Sequence, residues 1–189
     1  MKHHLAIWLS AVTAITAGPL AAAEMPDELQ APPSQHLELS VHAKGMQIYE
    51  CKQAKDDATR FEWSLKGPEA TLFDGTGRQA GQHYVGPTWE SVDGSKVVGE
   101  LKAKDKGPDS SAIPWLLLSA KSATGHGVLS NVQWIQRVET HGGKAPAQGC
   151  STRSWQVAGS LIRSNRGSPV VRAPAHLHLV STMILDSNV

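Results

Sequence analysis

The chain has little of what marks several common functional classes. It holds only two cysteines in 189 residues, and its 18 basic side chains nearly balance 17 acidic ones. A chain without an excess of one charge has no global field to attract nucleic acid or an acidic membrane surface. We therefore expect no nucleic-acid partner.

The sequence also lacks the short motifs that accompany familiar catalytic chemistry. It has no GxGxxG for a dinucleotide, no GxSxG for a nucleophilic serine, no HExxH for zinc and no CxxC redox pair. Residues 93–96 (DGSK) and 119–121 (SAK) are too generic to serve as catalytic signatures. This lack of a catalytic constellation favours a binding protein over an enzyme.

Long apolar runs are missing except at the N-terminus, where residues 1–23 have the layout of a secretory signal peptide. A short basic start precedes a mostly apolar stretch, and three alanines then precede Glu24. A transmembrane anchor is the alternative, but the stretch is interrupted by polar residues and is shorter than the roughly 20 residues that a span needs. We therefore expect export to the periplasm or the medium, and no transmembrane segment in the mature chain.

Two cysteines in an exported chain predict a disulfide between Cys51 and Cys150. A metal pair or a redox dithiol is the alternative, but no His or Cys stands at ligand spacing beside either cysteine. The predicted bridge closes a loop of about 100 residues, for which the chain-entropy model gives roughly 4.7 kcal/mol.

The fold class follows from short alternating runs. Removal of the signal leaves about 165 residues, which is enough for one domain with a sizeable core. Apolar and polar residues alternate in runs such as 37–41, 61–65 and 132–138, with Gly or Pro between the runs. A short helix over 110–118 is weakened by Pro114. We therefore predict an all-β fold: a single antiparallel β-sandwich or barrel-like domain with short helical turns.

Six sequence blocks occur in a fixed order through the middle of the chain. They are residues 45–51 (GMQIYEC), 67–74 (GPEATLFD), 81–100, 112–120, 127–146 and 149–150. In this order the blocks resemble domain of unknown function 3455 (DUF3455), a family of secreted proteins. The resemblance implies export and a compact β-rich fold, and it implies no particular activity.

The resemblance also divides the chain. We predict a signal peptide over 1–23, an extended lead-in over 24–40, a DUF3455-like β domain over 41–150 and a divergent tail over 151–189. The family continues into an aromatic strand, whereas Trp155 is the only aromatic residue of this tail. Because residues 154–160 can be encoded so that a neighbouring frame reads the family-like AGKSQVR, we interpret the tail as a frameshift product. A natural divergent extension is the alternative. A frameshifted tail would leave the sheet with an unpaired edge.

The catalytic candidates are His83, Glu90 and Asp93, in the densest cluster of polar and aromatic residues. An imidazole near two carboxylates can act as a general base that a carboxylate orients. Against this, strand alternation turns neighbours in sequence to opposite faces, and an Asp-Gly pair at 93–94 is typical of a turn. Turn and core roles are therefore the competing interpretation.

The candidate metal ligands are His83, His126 and His141, the latter two in glycine-rich loops. If they met, they would form a three-histidine zinc site with an open position. Nothing local brings them together, so we expect no cofactor and keep zinc as the alternative. The candidate ligand-binding aromatics are Tyr84, Trp89 and Trp63, because an indole face can stack on a sugar ring.

Together these features predict an exported, non-enzymatic binding or envelope-associated β domain. Its partner would be a small molecule, a glycan or an envelope component. The alternative is a metal-assisted hydrolase or isomerase that uses His83, Glu90, His126 and His141. Convergence of these four side chains in one concave pocket would favour the enzyme, and their dispersal would favour binding.

Overall fold

The fold is known from a computed structural model, which describes residues 24–151, 161–163 and 169–186. The predicted signal peptide, residues 1–23, lies outside the described residues, as do parts of the predicted tail. No helix in the described ranges is long and apolar enough to cross a membrane.

The regular secondary structure of the described residues is almost entirely antiparallel β-strand, which confirms the predicted fold class. The strands are β1 (Gln35–Gln53), β2 (Phe61–Phe73), β3 (Gln79–Tyr84), β4 (Thr88–Ser91), β5 (Lys96–Asp105), β6 (Trp115–Thr124), β7 (Trp134–Val138), β8 (Leu161–Arg163) and β9 (Pro169–Asp186). One 3-10 turn, Asp27–Leu29, is the only helical element of the described residues. The short helix considered over 110–118 does not form, because β6 begins within that range and pairs with both of its neighbours.

The sheet closes on itself. Strands β1 to β7 pair in sequence order, β7 then pairs with β9, and β9 pairs back onto β1. Eight strands thus form an antiparallel barrel, and β8 pairs with β9 beyond the end of the β7 pairing. Of the two predicted architectures, the ring of pairings corresponds to the barrel.

The closing strand lies in the predicted divergent tail. β9 is hydrogen-bonded to β1 on one side and to β7 on the other, so the tail leaves neither strand with an open edge there. The unpaired edge expected of a frameshifted tail is therefore not found. Whether the tail arose by a frameshift stays a prediction about the gene.

The tight turns of β3–β4 and β4–β5 depend on glycine. Gly86 and Gly94 have φ values of 82° and 84°, a region that glycine enters without the steric cost of a Cβ. These two turns hold β3, β4 and β5 in register as a meander, and the first of them forms part of the rim described below.

The hydrophobic core lies inside the barrel. Its buried members are Val41, Ala43, Ala70, Leu72, Trp89, Val97, Ile113, Leu118, Leu129, Val132 and Ile135. A second cluster packs on the outer face of β6 and β7, where Leu29 of the 3-10 turn contacts Trp115, Leu117 and Val138. The Gln136 amide donates a hydrogen bond of 2.6 Å to the Leu29 carbonyl, so the N-terminal segment is anchored to the barrel wall.

The predicted disulfide is confirmed. Cys51 at the end of β1 is bonded to Cys150, with 5.8 Å between their Cα atoms. The bond fastens the segment after β7 along β1, and the Tyr49 hydroxyl supports it by donating a 2.8 Å hydrogen bond to the Gly143 carbonyl. With both cysteines bonded to each other, the alternatives of a metal pair and a free dithiol do not apply.

Candidate ligand site at one end of the barrel

A cavity of about 350 Å³ lies inside the barrel. Its lining residues are Gln47, Leu65, Lys66, Gly67, Pro68, His83, Gly86, Pro87, Trp89, Leu116, Leu118 and Arg137. They come from β1, β2, β3, β4, β6, β7 and the β3–β4 turn, so the cavity is surrounded by strands from most of the ring. Its volume is at the lower end of the roughly 300–1,000 Å³ of small-molecule sites.

The cavity occupies the end of the barrel where polar residues replace the core. Along the inner face, β1 passes from Ala43 to Gln47, and β7 passes from Ile135 to Arg137. The positions in each pair differ by an even number, so both residues share one face of their strand. Trp89 belongs to both the core and the lining, and it therefore forms part of the cavity floor.

A β-bulge shapes the rim. Between the pairs Ile48–Gly67 and Tyr49–Leu65, β2 contains one residue more than β1, and that residue is Lys66. Bulges bend a strand and interrupt its ladder, and they are common at barrel rims. The β3–β4 turn lines the cavity beside this bulge, so bulge and turn together form the mouth.

His83 is held as a neutral ring against the floor. It is only 3% exposed, and it stacks on Trp89 with 4.2 Å between ring centroids. Its Nδ1 lies 2.9 Å from the Thr88 carbonyl oxygen, which can only accept, so Nδ1 carries the proton and Nε2 is an acceptor. Burial lowers the pKa of His83 to about 4, and the positive charge of Arg137 acts in the same direction.

Arg137 brings a positive charge to the cavity without a balancing acid. Its Nε and Nη2 donate to the Pro114 carbonyl at 3.3 and 2.8 Å. Burial lowers the pKa of Arg137 to about 10, so the guanidinium is charged at neutral pH. Arg137 is partly buried, and among the described residues no carboxylate is ion-paired with it and Nη1 has no hydrogen-bond partner.

Gln47 adds an unsatisfied donor to the same cavity. Its side chain is 2% exposed, and its Nε2 has no hydrogen-bond partner in the described part of the chain. Leaving a buried polar group unpaired costs about 1–3 kcal/mol. The cavity therefore combines apolar walls with two uncompensated donor groups, which suits it to a ligand that carries acceptors.

The structure does not bring the predicted catalytic residues together. His83 points into the barrel, whereas Glu90 lies on the outside, where its Oε2 accepts from the Tyr84 hydroxyl at 2.6 Å. The Lys96 ammonium pairs with the same Glu90 oxygen at 3.1 Å. The hydrogen bond from Tyr84 and then that from Lys96 lower the pKa of Glu90, which stabilises it as an anion on the surface.

Asp93 holds a turn. One carboxylate oxygen accepts the Ser95 backbone N–H at 2.8 Å, and the other accepts that of Val128 at 2.9 Å. The hydrogen bonds from Ser95 and Val128 lower the pKa of Asp93 to about 2. The Asp93 carboxylate thus connects its own turn to the loop between β6 and β7, and Asp93 is not among the residues that line the cavity.

The three histidines lie apart. His83 is inside the barrel, His126 is exposed in the loop after β6, and the Nδ1 of His141 lies 3.5 Å from an Asp109 carboxylate oxygen on the outside. Within the described ranges no group of three or more His, Cys, Asp or Glu side chains is placed to hold a metal ion. The zinc alternative therefore has no assembled site among those residues.

The predicted ligand-binding aromatics are also dispersed. Trp89 is 1% exposed and can meet a ligand only through the cavity, and Tyr84 is on the outer face with Glu90. Trp63 is half-buried, and its indole N–H donates to the Gln148 carbonyl at 3.2 Å. These three side chains do not share one stacking surface.

Gln47 and Arg137 are the site residues that sequence reasoning missed. A signal for Arg137 is present, because in the run WIQRV it shares a strand face with Ile135, which is fully buried. A charged residue on the inner face of an alternating strand is the sequence signal that could have identified Arg137 as a site residue. Gln47 has the same signal, four residues after the buried Ala43.

Comparison with known proteins agrees with the resemblance seen in the sequence blocks. Residues 32–160 match the family described as "Protein of unknown function (DUF3455)", and the match includes the first ten residues of the predicted tail. No curated protein and no solved structure matches the chain. Since the family match covers more than half of its 189 residues, the chain belongs to the DUF3455 family.

Proposed function

We propose that this protein binds a small molecule inside its barrel and acts by binding, not by catalysis. The observation that carries the proposal is the cavity of about 350 Å³, with its buried floor and open rim. An apolar pocket with a few convergent polar groups is the usual form of a small-molecule site.

The walls favour an apolar ligand over a glycan. Leu65, Leu116 and Leu118 line the cavity together with two prolines, and polar groups are few among the described lining residues. A sugar presents many hydroxyl groups that each need a partner when buried, and these walls do not supply them. A compact apolar body with one polar end matches the lining better.

We also propose that the protein acts outside the cytoplasm. The Cys51–Cys150 bond supports this location, because structural disulfides persist in oxidising compartments. The predicted cleavage leaves Glu24 as the first residue of the exported protein. N-terminal sequencing of the periplasmic and secreted fractions tests this, and a chain retained in the cytoplasm with Met1 in place would overturn it.

Titration with N-phenyl-1-naphthylamine, a neutral dye whose emission rises in apolar surroundings, tests the binding function. Leu116→Trp adds bulk inside the cavity, whereas Val92→Trp adds the same ring in the β4–β5 turn, away from the lining residues, where Val92 is 68% exposed. We expect Leu116→Trp to weaken dye binding about tenfold or more and Val92→Trp to leave it unchanged.

NMR of the tryptophan indole N–H groups provides a second measurement that needs no variant. Dye in the cavity should move the Trp89 signal, because this ring lines the floor, and should leave the Trp63 signal in place. Saturable dye binding that moves neither signal, or equal binding by natural protein and folded Leu116→Trp, would contradict the proposal.

A further inference from the structure

The charges that line the cavity have one sign. Among the described lining residues, Lys66 at the rim and Arg137 within are charged, and none of the others is an Asp or Glu. The field inside is therefore positive, and the surrounding apolar walls screen it less than water would. An anionic group entering the cavity gains chiefly from Arg137, because the Lys66 ammonium already lies 3.8 Å from a Glu50 carboxylate oxygen.

Arg137 is oriented so that part of its guanidinium remains available. Two of its nitrogens are occupied by one acceptor, the Pro114 carbonyl, which fixes the plane of the group. Its Nη1 has no partner among the described residues and can donate to a ligand. A guanidinium with a fixed plane loses little further freedom when it binds a planar carboxylate.

Gln47 provides the second donor. It lines the same cavity as Arg137, it is only 2% exposed, and its Nε2 has no hydrogen-bond partner among the described residues. A carboxylate has two oxygens, so one group can accept from both side chains. Such a ligand relieves the cost of the unpaired amide and neutralises the unpaired cation in one step.

On this basis, and resting on the proposed binding function, we propose that the ligand is a small carboxylic acid bound as its anion. Arg137 and Gln47 hold the carboxylate, and the stacked His83–Trp89 pair and the leucine walls hold an apolar, preferably planar, body. The volume of about 350 Å³ limits that body to roughly the size of one or two rings.

A phosphate ester fits the same donors less well. A dianion needs more than one guanidinium and one amide to replace its hydration, and buried phosphate sites usually add backbone N–H groups at a helix N-terminus or a nest. The described lining has no helix, and the second cation, Lys66, is at the rim. The geometry therefore points to a monoanion.

Isothermal titration calorimetry with 2-naphthoate and 2-naphthamide tests the inference. The two probes have the same shape and differ in charge, so their affinity ratio isolates the anionic group. We expect 2-naphthoate to bind the natural protein about tenfold or more tightly than 2-naphthamide, as for a desolvated charge-assisted hydrogen bond.

Variants test which residues cause the preference for 2-naphthoate over 2-naphthamide. Arg137→Gln should bring the two affinities to within about twofold, and Gln47→Leu should weaken 2-naphthoate about threefold or more through loss of one donor. Lys121→Gln is the matched control, because it removes one positive charge from an exposed position of β6 that is not among the cavity-lining residues. It should leave the naphthoate preference unchanged.

The outcomes separate the two proposals. If both probes bind in the cavity with equal affinity, the carboxylate inference is wrong and the small-molecule function stands. If neither probe binds and the neutral dye also fails, the binding function itself is wrong. If Arg137→Gln does not fold, two measurements still test the inference: the affinities of 2-naphthoate and 2-naphthamide for the natural protein, and the affinity of 2-naphthoate for Gln47→Leu. An unchanged 2-naphthoate affinity in Gln47→Leu would overturn the contact between Gln47 and the carboxylate.

Discussion

At the scale of the residue, His83 illustrates how the barrel interior controls protonation. Its ring is buried between the Trp89 indole and the cavity, and Nδ1 donates to the Thr88 carbonyl. Burial, with Arg137 nearby, lowers its pKa from 6.5 to about 4. The neutral ring keeps an apolar face for stacking, which the charged ring would lose.

The lowered pKa of His83 makes stability depend on pH. Below pH 6.5 the unfolded chain protonates this histidine, and the folded chain does not do so until about pH 4. The contribution of the neutral His83 ring to the free energy of unfolding is therefore fully present above pH 6.5, and it declines as the pH falls to about 4. The decline amounts to about 3 kcal/mol.

Urea unfolding at pH 7.0 and pH 4.5 measures this effect. The natural protein should lose about 2–3 kcal/mol more than His83→Gln over that interval, because glutamine does not titrate. His126→Gln, at an exposed loop position, should retain the full pH dependence. Equal pH dependence in natural protein and His83→Gln would show that His83 is not held neutral.

At the scale of the element, the pairing of β1 with β2 depends on a close approach at Gly45. A Cβ added there would lie 2.1 Å from the Glu69 carbonyl oxygen and 2.5 Å from the Ala70 Cα. Both contacts are with backbone atoms, so the strands themselves would have to separate. This pairing contributes Gln47 to the cavity wall, only two residues further along β1.

Gly45→Ala should therefore destabilise the protein by about 2–3 kcal/mol, the range of an overpacked core. Gly75→Ala is the control, since a Cβ at Gly75 meets nothing within 4 Å, and its effect should stay within about 0.5 kcal/mol. Chemical denaturation measures both. Similar free energies of unfolding for the two variants would mean that β1 and β2 separate at no cost.

At the scale of the whole molecule, two long-range links hold the barrel together. The Cys51–Cys150 bond joins residues separated by 99 positions, and β9 closes the ring between β1 and β7. Each link constrains parts of the chain that local preferences leave independent. We expect the protein to depend on both.

Replacement of both cysteines by serine should lower the free energy of unfolding by about 2–5 kcal/mol, mainly because the unfolded chain gains freedom. Guanidinium unfolding with and without reductant measures the loss. The double variant should be insensitive to reductant, which serves as the control. A natural protein equally stable before and after reduction would contradict this expectation.

Removal of residues 161–189 should open the barrel. The edges of β1 and β7 that now pair with β9 would be exposed, and exposed edges invite association with other chains. We expect the truncated chain to aggregate on size-exclusion chromatography and to lose its near-UV circular dichroism. A monomeric truncated chain that binds the naphthylamine dye would show that β9 is dispensable.

The origin of the tail can be tested without the protein. Reading the gene's nucleotides in the other two frames after Cys150 should reveal a family-like aromatic strand if the tail is a frameshift product. Absence of such a strand in both frames would leave natural divergence as the explanation, with β9 as the strand that this chain uses to close its sheet.

Much of the fold was predictable from local pattern. Alternation over runs such as 61–65 and 132–138 predicted strands, because a half-buried strand needs one apolar face. The failed helix over 110–118 shows the limit: a short apolar run has no periodicity that separates helix from buried strand, and pairing with β5 and β7 decided it.

The sequence by itself determined the all-β class, the cysteine pair and the family, because alternation, cysteine count and ordered blocks are properties of the chain alone. Only the tertiary structure decided that the sheet closes through β9 and that Gln47, His83 and Arg137 line one cavity. These residues are tens of positions apart, and their meeting depends on register and ring closure, which no local pattern encodes.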